Sequence, residues 1–216
     1  MNKKKPSRFI SAFVKITGAP GAYIFYKPKV YYVNRAEQNL KLPKPCILMS
    51  NHTSLLDFPL YLAVFPFRMI RFLMAEVLFT KGKLLSSLLY WLGGIFVDRD
   101  AYGYSFIEES VATLDKGGTI GVFPEGRLPV NGKSFPFKPG IAVLAAHSEA
   151  PIVPVCTDGN YGLFKRAHIL VGEKIYFKDC IKSVEPSKDD YEEFTLMLEN
   201  IMNSMKEELR ERIEKE

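Results

Sequence analysis

The sequence has few of the residues that build disulfide frameworks and metal centres. Its 216 residues include three cysteines and three histidines, and no two cysteines have CxxC spacing. No cysteine clusters with a histidine, so we expect no metal site. Cys46, Cys156 and Cys180 each lie in or beside an apolar stretch, and we interpret them as reduced core thiols of a cytosolic protein.

Long hydrophobic runs are also missing. A membrane-spanning helix needs roughly 20 uninterrupted apolar residues. The most apolar segments, residues 58–67 and 84–97, are shorter and are broken by prolines or by a Gly-Gly pair. The N-terminus is basic and then apolar, as in a signal peptide, but Lys15 interrupts its short apolar part and we expect the segment to be retained. Any contact with a membrane is therefore expected at the membrane surface.

The sequence contains no internal repeat and no low-complexity linker. Its composition, 47% hydrophobic and 25% charged, is typical of one globular domain. The net charge of +5 and the pI near 9.0 favour an anionic partner: phospholipid, nucleic acid or a phosphorylated small molecule. Nucleic acid is disfavoured, because the N-terminal lysines accompany an apolar stripe rather than stacking aromatic residues.

Short apolar runs alternate with helical patterns, which predicts an α/β domain. The predicted strands are residues 30–33, 46–50, 70–74, 94–97, 119–123, 152–156, 169–171 and 174–177. The predicted helices are residues 54–64, 84–92, 104–115 and 140–147. A terminal amphipathic helix follows a capping box formed by Ser187 and Asp190.

Residues 1–18 are a further candidate for an amphipathic helix. Its apolar positions are Phe9, Ile10, Phe13, Val14 and Ile16, and its basic positions are Lys3, Lys4, Lys5, Arg8 and Lys15. Such a helix can lie in the headgroup region of an anionic bilayer, or it can pack on the domain with a frayed lysine tail. We divide the chain into a membrane-surface segment, residues 1–28, and a globular domain, residues 29–216.

The segment LMSNHTSLLDFPLY, residues 48–61, sets His52 and Asp57 five positions apart. On one helix they would be separated by roughly 140° and could not meet, so the chain must bend between them. Asp57 can then hold one nitrogen of the imidazole, which makes the histidine a general base. The alternative is a structural role for Asp57 in a capping box with Ser54, although Pro59 favours a helix that begins nearer Asp57.

Three further segments follow in order. GGIFVDR, residues 93–99, places Arg99 after a buried strand. FPEGRLP, residues 123–129, ends a strand in a turn with a carboxylate and a guanidinium. PIVPV, residues 151–155, is an apolar strand with two prolines. Together with the histidine segment, they resemble the NHxSxxD, GxxFxxR, FPEGTR and proline-containing blocks of the 1-acyl-sn-glycerol-3-phosphate acyltransferase (lysophosphatidic acid acyltransferase) family.

The resemblance implies a fold and an activity. The fold is a single α/β domain with a mixed, mostly parallel sheet flanked by helices, preceded here by the N-terminal amphipathic helix. The activity is transfer of a fatty acyl group from acyl-CoA or acyl carrier protein to 1-acyl-sn-glycerol 3-phosphate, giving phosphatidic acid. It implies no permanently bound cofactor and a cytoplasmic protein, peripheral on the inner face of the membrane. One alternative keeps the chemistry but uses glycerol 3-phosphate or another lysophospholipid as acceptor. The other is a non-catalytic lipid-binding protein with the same fold.

The resemblance also assigns residues. His52 and Asp57 would form the catalytic dyad, with no acyl-enzyme required. The substrate-binding candidates are Arg99, Glu125, Gly126, Arg127 and Lys138. The backbone N–H groups of the 124–127 turn are candidates for holding the oxyanion, and residues 84–97 either line an acyl groove or belong to the core.

This chain departs from the family pattern in two places. Arg127 stands one position earlier than the family arginine. Ala75 stands where many members have a lysine, so either part of the phosphate-binding set is missing or Lys81 or Lys83 supplies it.

Overall fold

The computed structural model describes residues 6–36, 38, 40–80, 82–97 and 105–216. The strands are β1 (Lys29–Tyr32), β2 (Cys46–Ser50), β3 (Ile70–Ala75), β4 (Ile95–Val97), β5 (Thr119–Val122), β6 (Ile152–Thr157) and β7 (His168–Val171). The helices are α1 (Arg8–Tyr26), α2 (Asp57–Val64), α3 (Glu76–Thr80), α4 (Lys83–Trp91), α5 (Ser105–Leu114), α6 (Gly140–Ser148), α7 (Phe177–Cys180) and α8 (Lys188–Glu214).

The strands form one sheet in the order β1-β7-β6-β2-β5-β3-β4. Every pair is parallel except β6 with β7, which is antiparallel. The predicted α/β fold with a mixed, mostly parallel sheet is confirmed. Because β2 to β6 all run in one direction, the loops that follow them open at the same edge of the sheet, where ligands bind in open α/β sheets.

The core lies on both faces of this sheet. Strand β2 is buried at all five positions, as expected for a central parallel strand. Ile47 and Met49 join the apolar cluster beneath α5, α6 and α8, whereas Cys46 and Leu48 join the cluster on the side of α1, α2 and α4. Burial on both faces fixes the end of β2, and hence the position of the loop that carries His52.

Several predicted boundaries are wrong. Residues 174–177 do not form a strand: Ile175 makes one isolated bridge with Ile152, and Phe177 already begins α7. The single-turn helix α3 was not predicted. Of the three cysteines, Cys46 and Cys156 are buried, but Cys180 is exposed at the end of α7 and is not a core thiol.

Helix α1 is longer than the predicted segment and has two different faces. It packs on α2 and α4, where Lys15 donates hydrogen bonds to carbonyls at the end of α2, those of Phe65 and Pro66. Burial lowers the pKa of Lys15 to about 8. On the other face Phe9, Phe13 and Ile16 are exposed, Phe9 by 80%. Lys15, one of the predicted basic positions of an amphipathic helix, therefore joins α1 to the domain.

The apolar segment 84–97 also has both buried and exposed side chains. Leu89 and Tyr90 of α4 enter the core, whereas Leu84, Leu85 and Leu88 are exposed. Among the described helices, none is long and apolar enough to cross a membrane.

Candidate active site

The bend expected between His52 and Asp57 is present. His52 lies in the loop after β2, and Asp57 is the first residue of α2. His52 Nδ1 lies 2.7 Å from Asp57 Oδ2. An anionic carboxylate accepts only, so Nδ1 carries the proton and Nε2 is the basic nitrogen. The imidazole also stacks on the Phe123 ring, with the ring centroids 4.2 Å apart, and this contact fixes its plane.

Asp57 is fully buried and accepts hydrogen bonds from five donors. Besides His52, Oδ2 accepts from the N–H groups of Thr53 and Ser54, and Oδ1 accepts from the hydroxyls of Thr53 and Tyr161. Burial alone would raise the pKa of Asp57, but these hydrogen bonds outweigh it and the pKa lies below its ordinary value. Asp57 is an anion that both caps the chain before α2 and holds His52.

Tyr161 is a site residue that the sequence did not indicate. Its hydroxyl lies 2.5 Å from Asp57 Oδ1, and its ring packs edge-on against Tyr26 of α1. Burial and the Asp57 carboxylate raise the pKa of Tyr161, so it remains a donor. The contact joins residues 104 positions apart, and no local pattern marks it. Asn51, also unpredicted, fastens the same loop to β6 through two hydrogen bonds with the backbone of Thr157.

Glu125 lies beside the histidine, at the end of β5. It is 1% exposed, and its Oε1 accepts the backbone N–H of His52 at 3.3 Å. Burial raises the pKa of Glu125, partly opposed by the His52 N–H and by the charge of Lys206. Oε2 has no hydrogen-bond partner among the described residues. A buried carboxylate oxygen without a donor is costly, and a backbone hydrogen bond from Phe135 to Glu125 helps to stabilise the charged carboxylate.

The turn after β5 aims its other side chains away from Glu125. Gly126 has φ +69°, and its N–H donates to the carbonyl of Phe123, so this N–H is not free to hold an oxyanion. The aliphatic part of Lys138 lies where a side chain at Gly126 would sit. The Arg127 guanidinium lies over the Phe135 ring, 4.8 Å from its centroid, rather than against Glu125. Arg99 lies outside the described residues.

Two cavities open on either side of this turn. The first, of about 610 Å³, contains His52, Glu125, Cys156 and the α8 residue Lys206 in its wall. The second, of about 280 Å³, is lined by Gly126, Lys138 and apolar residues such as Leu73 and Phe106. The structure thus brings His52, Asp57 and Glu125 together, and separates them from Lys138. Burial raises the pKa of Cys156 to about 12, which makes it a poor nucleophile despite its position.

A second histidine–aspartate pair adjoins the His52 cavity: Asp158 lines it and His168 does not. His168 Nδ1 lies 2.7 Å from Asp158 Oδ2, a partner that the sequence did not reveal. The described residues hold no group of three or more His, Cys, Asp or Glu side chains suited to a metal ion.

Comparison with known proteins agrees with the predicted class. The model of the Acyltransferase family matches residues 33–158, which include His52, Asp57 and Glu125. The chain belongs to this acyltransferase family.

Similar proteins in the family have related names. The human 1-acyl-sn-glycerol-3-phosphate acyltransferase beta is 31% identical over 125 residues, 56% of this chain and 44% of that protein. The human alpha protein is 36% identical over 116 residues, 52% of this chain and 40% of that protein. The Saccharomyces cerevisiae 1-acyl-sn-glycerol-3-phosphate acyltransferase is 31% identical over 156 residues, 62% of this chain and 48% of that protein. This chain therefore spans less than half the length of these three relatives.

A solved structure has the same fold. The crystal structure of the 1-acyl-sn-glycerophosphate (LPA) acyltransferase PlsC from Thermotoga maritima matches 93% of this chain and 78% of its own, with a TM-score of 0.65 and 22% identity.

Proposed function

We propose that the protein transfers a fatty acyl group from acyl-CoA or acyl carrier protein to the free hydroxyl of 1-acyl-sn-glycerol 3-phosphate, giving phosphatidic acid. One observation carries the proposal. In a chain of the Acyltransferase family, His52, held by Asp57, lines a cavity whose wall also includes Glu125. These groups suit activation of a substrate hydroxyl.

The chemistry needs a base more than a protein nucleophile. Nε2 of His52 takes the hydroxyl proton while the oxygen attacks the thioester carbonyl, and Asp57 stabilises the imidazolium that forms. When the tetrahedral intermediate collapses, the C–S bond breaks and the departing thiolate takes the proton from His52. The negative charge on the former carbonyl oxygen needs hydrogen-bond donors, and the N–H groups of Glu125 and Arg127 are our candidates.

The direct test offers the purified protein, in detergent, a choice of substrates. The donors are acyl-CoA and acyl carrier protein thioesters, and the acceptors are labelled 1-acyl-sn-glycerol 3-phosphate, glycerol 3-phosphate and a zwitterionic lysophospholipid. We expect labelled phosphatidic acid as the main product. Preference for another acceptor would reassign the substrate, and lipid binding without transfer from either donor would refute the activity.

We further propose that Arg99 and Arg127 bind the acceptor's phosphate. A guanidinium binds phosphate through two parallel hydrogen bonds. Arg127→Ala or Arg99→Ala should therefore reduce kcat/KM for a phosphorylated acceptor by roughly tenfold or more, with little change for monoacylglycerol. Lysine should rescue poorly, because it lacks the planar fork.

Lys133→Ala is a matched control for this prediction, since Lys133 is an exposed cation in the same loop as Arg127. Equal losses on the phosphorylated and uncharged acceptors would assign the two arginines to the fold or to the donor.

We propose that α1 holds the enzyme on the cytoplasmic face of an anionic membrane. Phe9, Phe13 and Ile16 are exposed at a spacing that places them on one face of the helix. Lys3, Lys4 and Lys5, which precede the described residues, would add about 1 kcal/mol each near anionic headgroups. The neighbouring helix α4 also exposes Leu84, Leu85 and Leu88.

Replacing Phe9, Phe13 and Ile16 together by serine should weaken binding to phosphatidylglycerol vesicles by at least about tenfold, because each buried apolar side chain contributes roughly 1.5–3 kcal/mol. Activity on vesicle-borne acceptor should fall with binding, and activity on detergent-dispersed acceptor should be retained. This triple variant is cleaner than deleting residues 1–18, which would also remove the Lys15 contacts with α2.

Val184→Ser is the control for the membrane experiment, since Val184 is 97% exposed in a different part of the chain. Unchanged vesicle binding by the triple variant would mean that α1 is not the membrane anchor, and α4 would become the candidate.

A further inference from the structure

Helix α8 forms one wall of the His52 cavity. The cavity is lined by His52, Glu125 and Asp158 and, on α8, by Lys206, Leu209, Arg210, Ile213 and Glu214. The family model ends at residue 158, so α8 lies outside the matched region. The cavity therefore combines catalytic candidates from the family region with side chains that the family model does not contain.

The two cations of this wall differ in what they contact. The Arg210 guanidinium pairs with Glu207 at 2.8 Å and with Glu214 at 3.9 Å, both on its own helix. Lys206 is half-buried beside Leu209 and Met205, and makes no salt bridge within the described part of the chain. Its charge reaches Glu125, whose Oε2 still accepts no hydrogen bond. Partial burial strengthens the attraction that this ammonium exerts on an anion.

We propose that Lys206 joins Arg99 and Arg127 in binding the phosphate of the acceptor, and that the acceptor's hydroxyl then lies beside Glu125 and His52. The proposal rests on the proposed function. A phosphate monoester with a nearby hydroxyl supplies an anion for Lys206 and a hydrogen-bond donor for the Glu125 carboxylate at the same time. The phosphates of coenzyme A offer the same anion, but they bring no hydroxyl that His52 must deprotonate. This cavity therefore fits the acceptor better than the donor.

The first arm of the test measures kinetics with Lys206→Met, which keeps the length of the side chain and removes the charge. KM for 1-acyl-sn-glycerol 3-phosphate should rise roughly tenfold or more with kcat little changed, because a charged hydrogen bond to the bound substrate is lost. Monoacylglycerol should be used as well as before, and Lys206→Arg should restore most of the affinity. Lys188→Met, which removes an exposed lysine paired with Glu192 on the same helix, is the charge-matched control.

The second arm separates the two sources of phosphate. An acyl N-acetylcysteamine thioester carries no phosphate and replaces acyl-CoA. If Lys206→Met raises KM for acyl-CoA but not for this donor, the lysine binds coenzyme A and the proposal is wrong. Equal losses with phosphorylated and uncharged acceptors would assign Lys206 to the fold, which also overturns it.

The third arm measures binding without transfer. Calorimetry with sn-glycerol 3-phosphate should show binding to the wild-type chain and about tenfold weaker binding to Lys206→Met. Unchanged binding in the variant would refute the site, whatever reaction the protein catalyses. Weakened binding in a protein that acylates no glycerolipid would support the site and refute the proposed function instead.

Discussion

Replacing His52 with alanine is expected to lower acyl transfer by roughly a hundredfold to ten-thousandfold, the usual contribution of a positioned general base. The loss should appear mainly in kcat, since in the proposed mechanism His52 takes a proton in the transition state and contributes little to ground-state binding. It should appear with every acceptor that the wild-type protein uses. Measured initial rates with saturating donor would check this expectation.

The fold should tolerate this substitution. His52 lies in a loop, and the ring contacts that alanine removes are the hydrogen bond to Asp57 and the stack on Phe123. Asp57 would keep its hydrogen bonds from Thr53, Ser54 and Tyr161. The thermal melt of the variant should therefore remain cooperative, with a modest decrease in Tm.

His168→Ala is the matched control, because His168 makes a bond of the same 2.7 Å length to Asp158. His168 does not line the His52 cavity, although its partner Asp158 does. We expect this variant to lose stability and to keep its turnover number. A His52→Ala protein with near-normal turnover and an unchanged melt would refute the general-base mechanism.

The parts of the fold that could be predicted are the strands and helices whose own spacing of apolar residues matches the side chains that they bury. Residues 46–50 form a strand as predicted, because an apolar run buried on both faces has few alternatives to a central strand. Residues 174–177 alternate polar and apolar side chains, as a strand would. Within the described residues their pairing is a single bridge at Ile175, and α7 begins at Phe177. Helix α3, at five residues, is too short to show helical periodicity.

Within the site, the contact that could be predicted is the one between residues close together in the sequence. The five-residue spacing with an intervening bend indicated that His52 and Asp57 could meet. Tyr161 and Lys206 reach the site only because β6 lies next to β2 and α8 packs against β6, contacts that sequence spacing does not encode. The direction of Arg127 was equally inaccessible, because it depends on a stack with Phe135 eight positions away in the chain.

Replacing Asp57 with asparagine is expected to have the second large effect, on activity and on stability together. The amide can place its oxygen at Oδ2, where it accepts from His52 and the backbone, and its nitrogen at Oδ1. The two hydroxyls there, from Thr53 and Tyr161, can rotate to accept. The tautomer of His52 would then survive, but the negative charge that stabilises its protonated form would be gone. We expect transfer to fall by roughly a hundredfold or more, because general-base catalysis depends on the imidazolium that this charge stabilises.

The free energy of unfolding of Asp57→Asn should fall by about 2–4 kcal/mol, since several charge-assisted hydrogen bonds become neutral ones at a buried site. Chemical denaturation at neutral pH would measure this. Tyr161→Phe is the partner variant: it removes one donor to Oδ1 and should cost about 1–3 kcal/mol. If the two effects arise from the same network, the double variant should lose less than the sum of the single losses.

The stability difference between wild type and Asp57→Asn should also depend on pH. The hydrogen bonds hold the pKa of Asp57 below its ordinary value in the folded protein. Above the unfolded pKa, about 4, the ionised carboxylate contributes its full stabilisation, and this contribution is lost as pH falls through the folded pKa. The wild type should therefore approach the variant in Tm on acidification, whereas asparagine has no proton to gain. A difference that stays constant from neutral pH to about pH 3 would mean that Asp57 is not the stabilising anion, and the orientation of His52 would then need another cause.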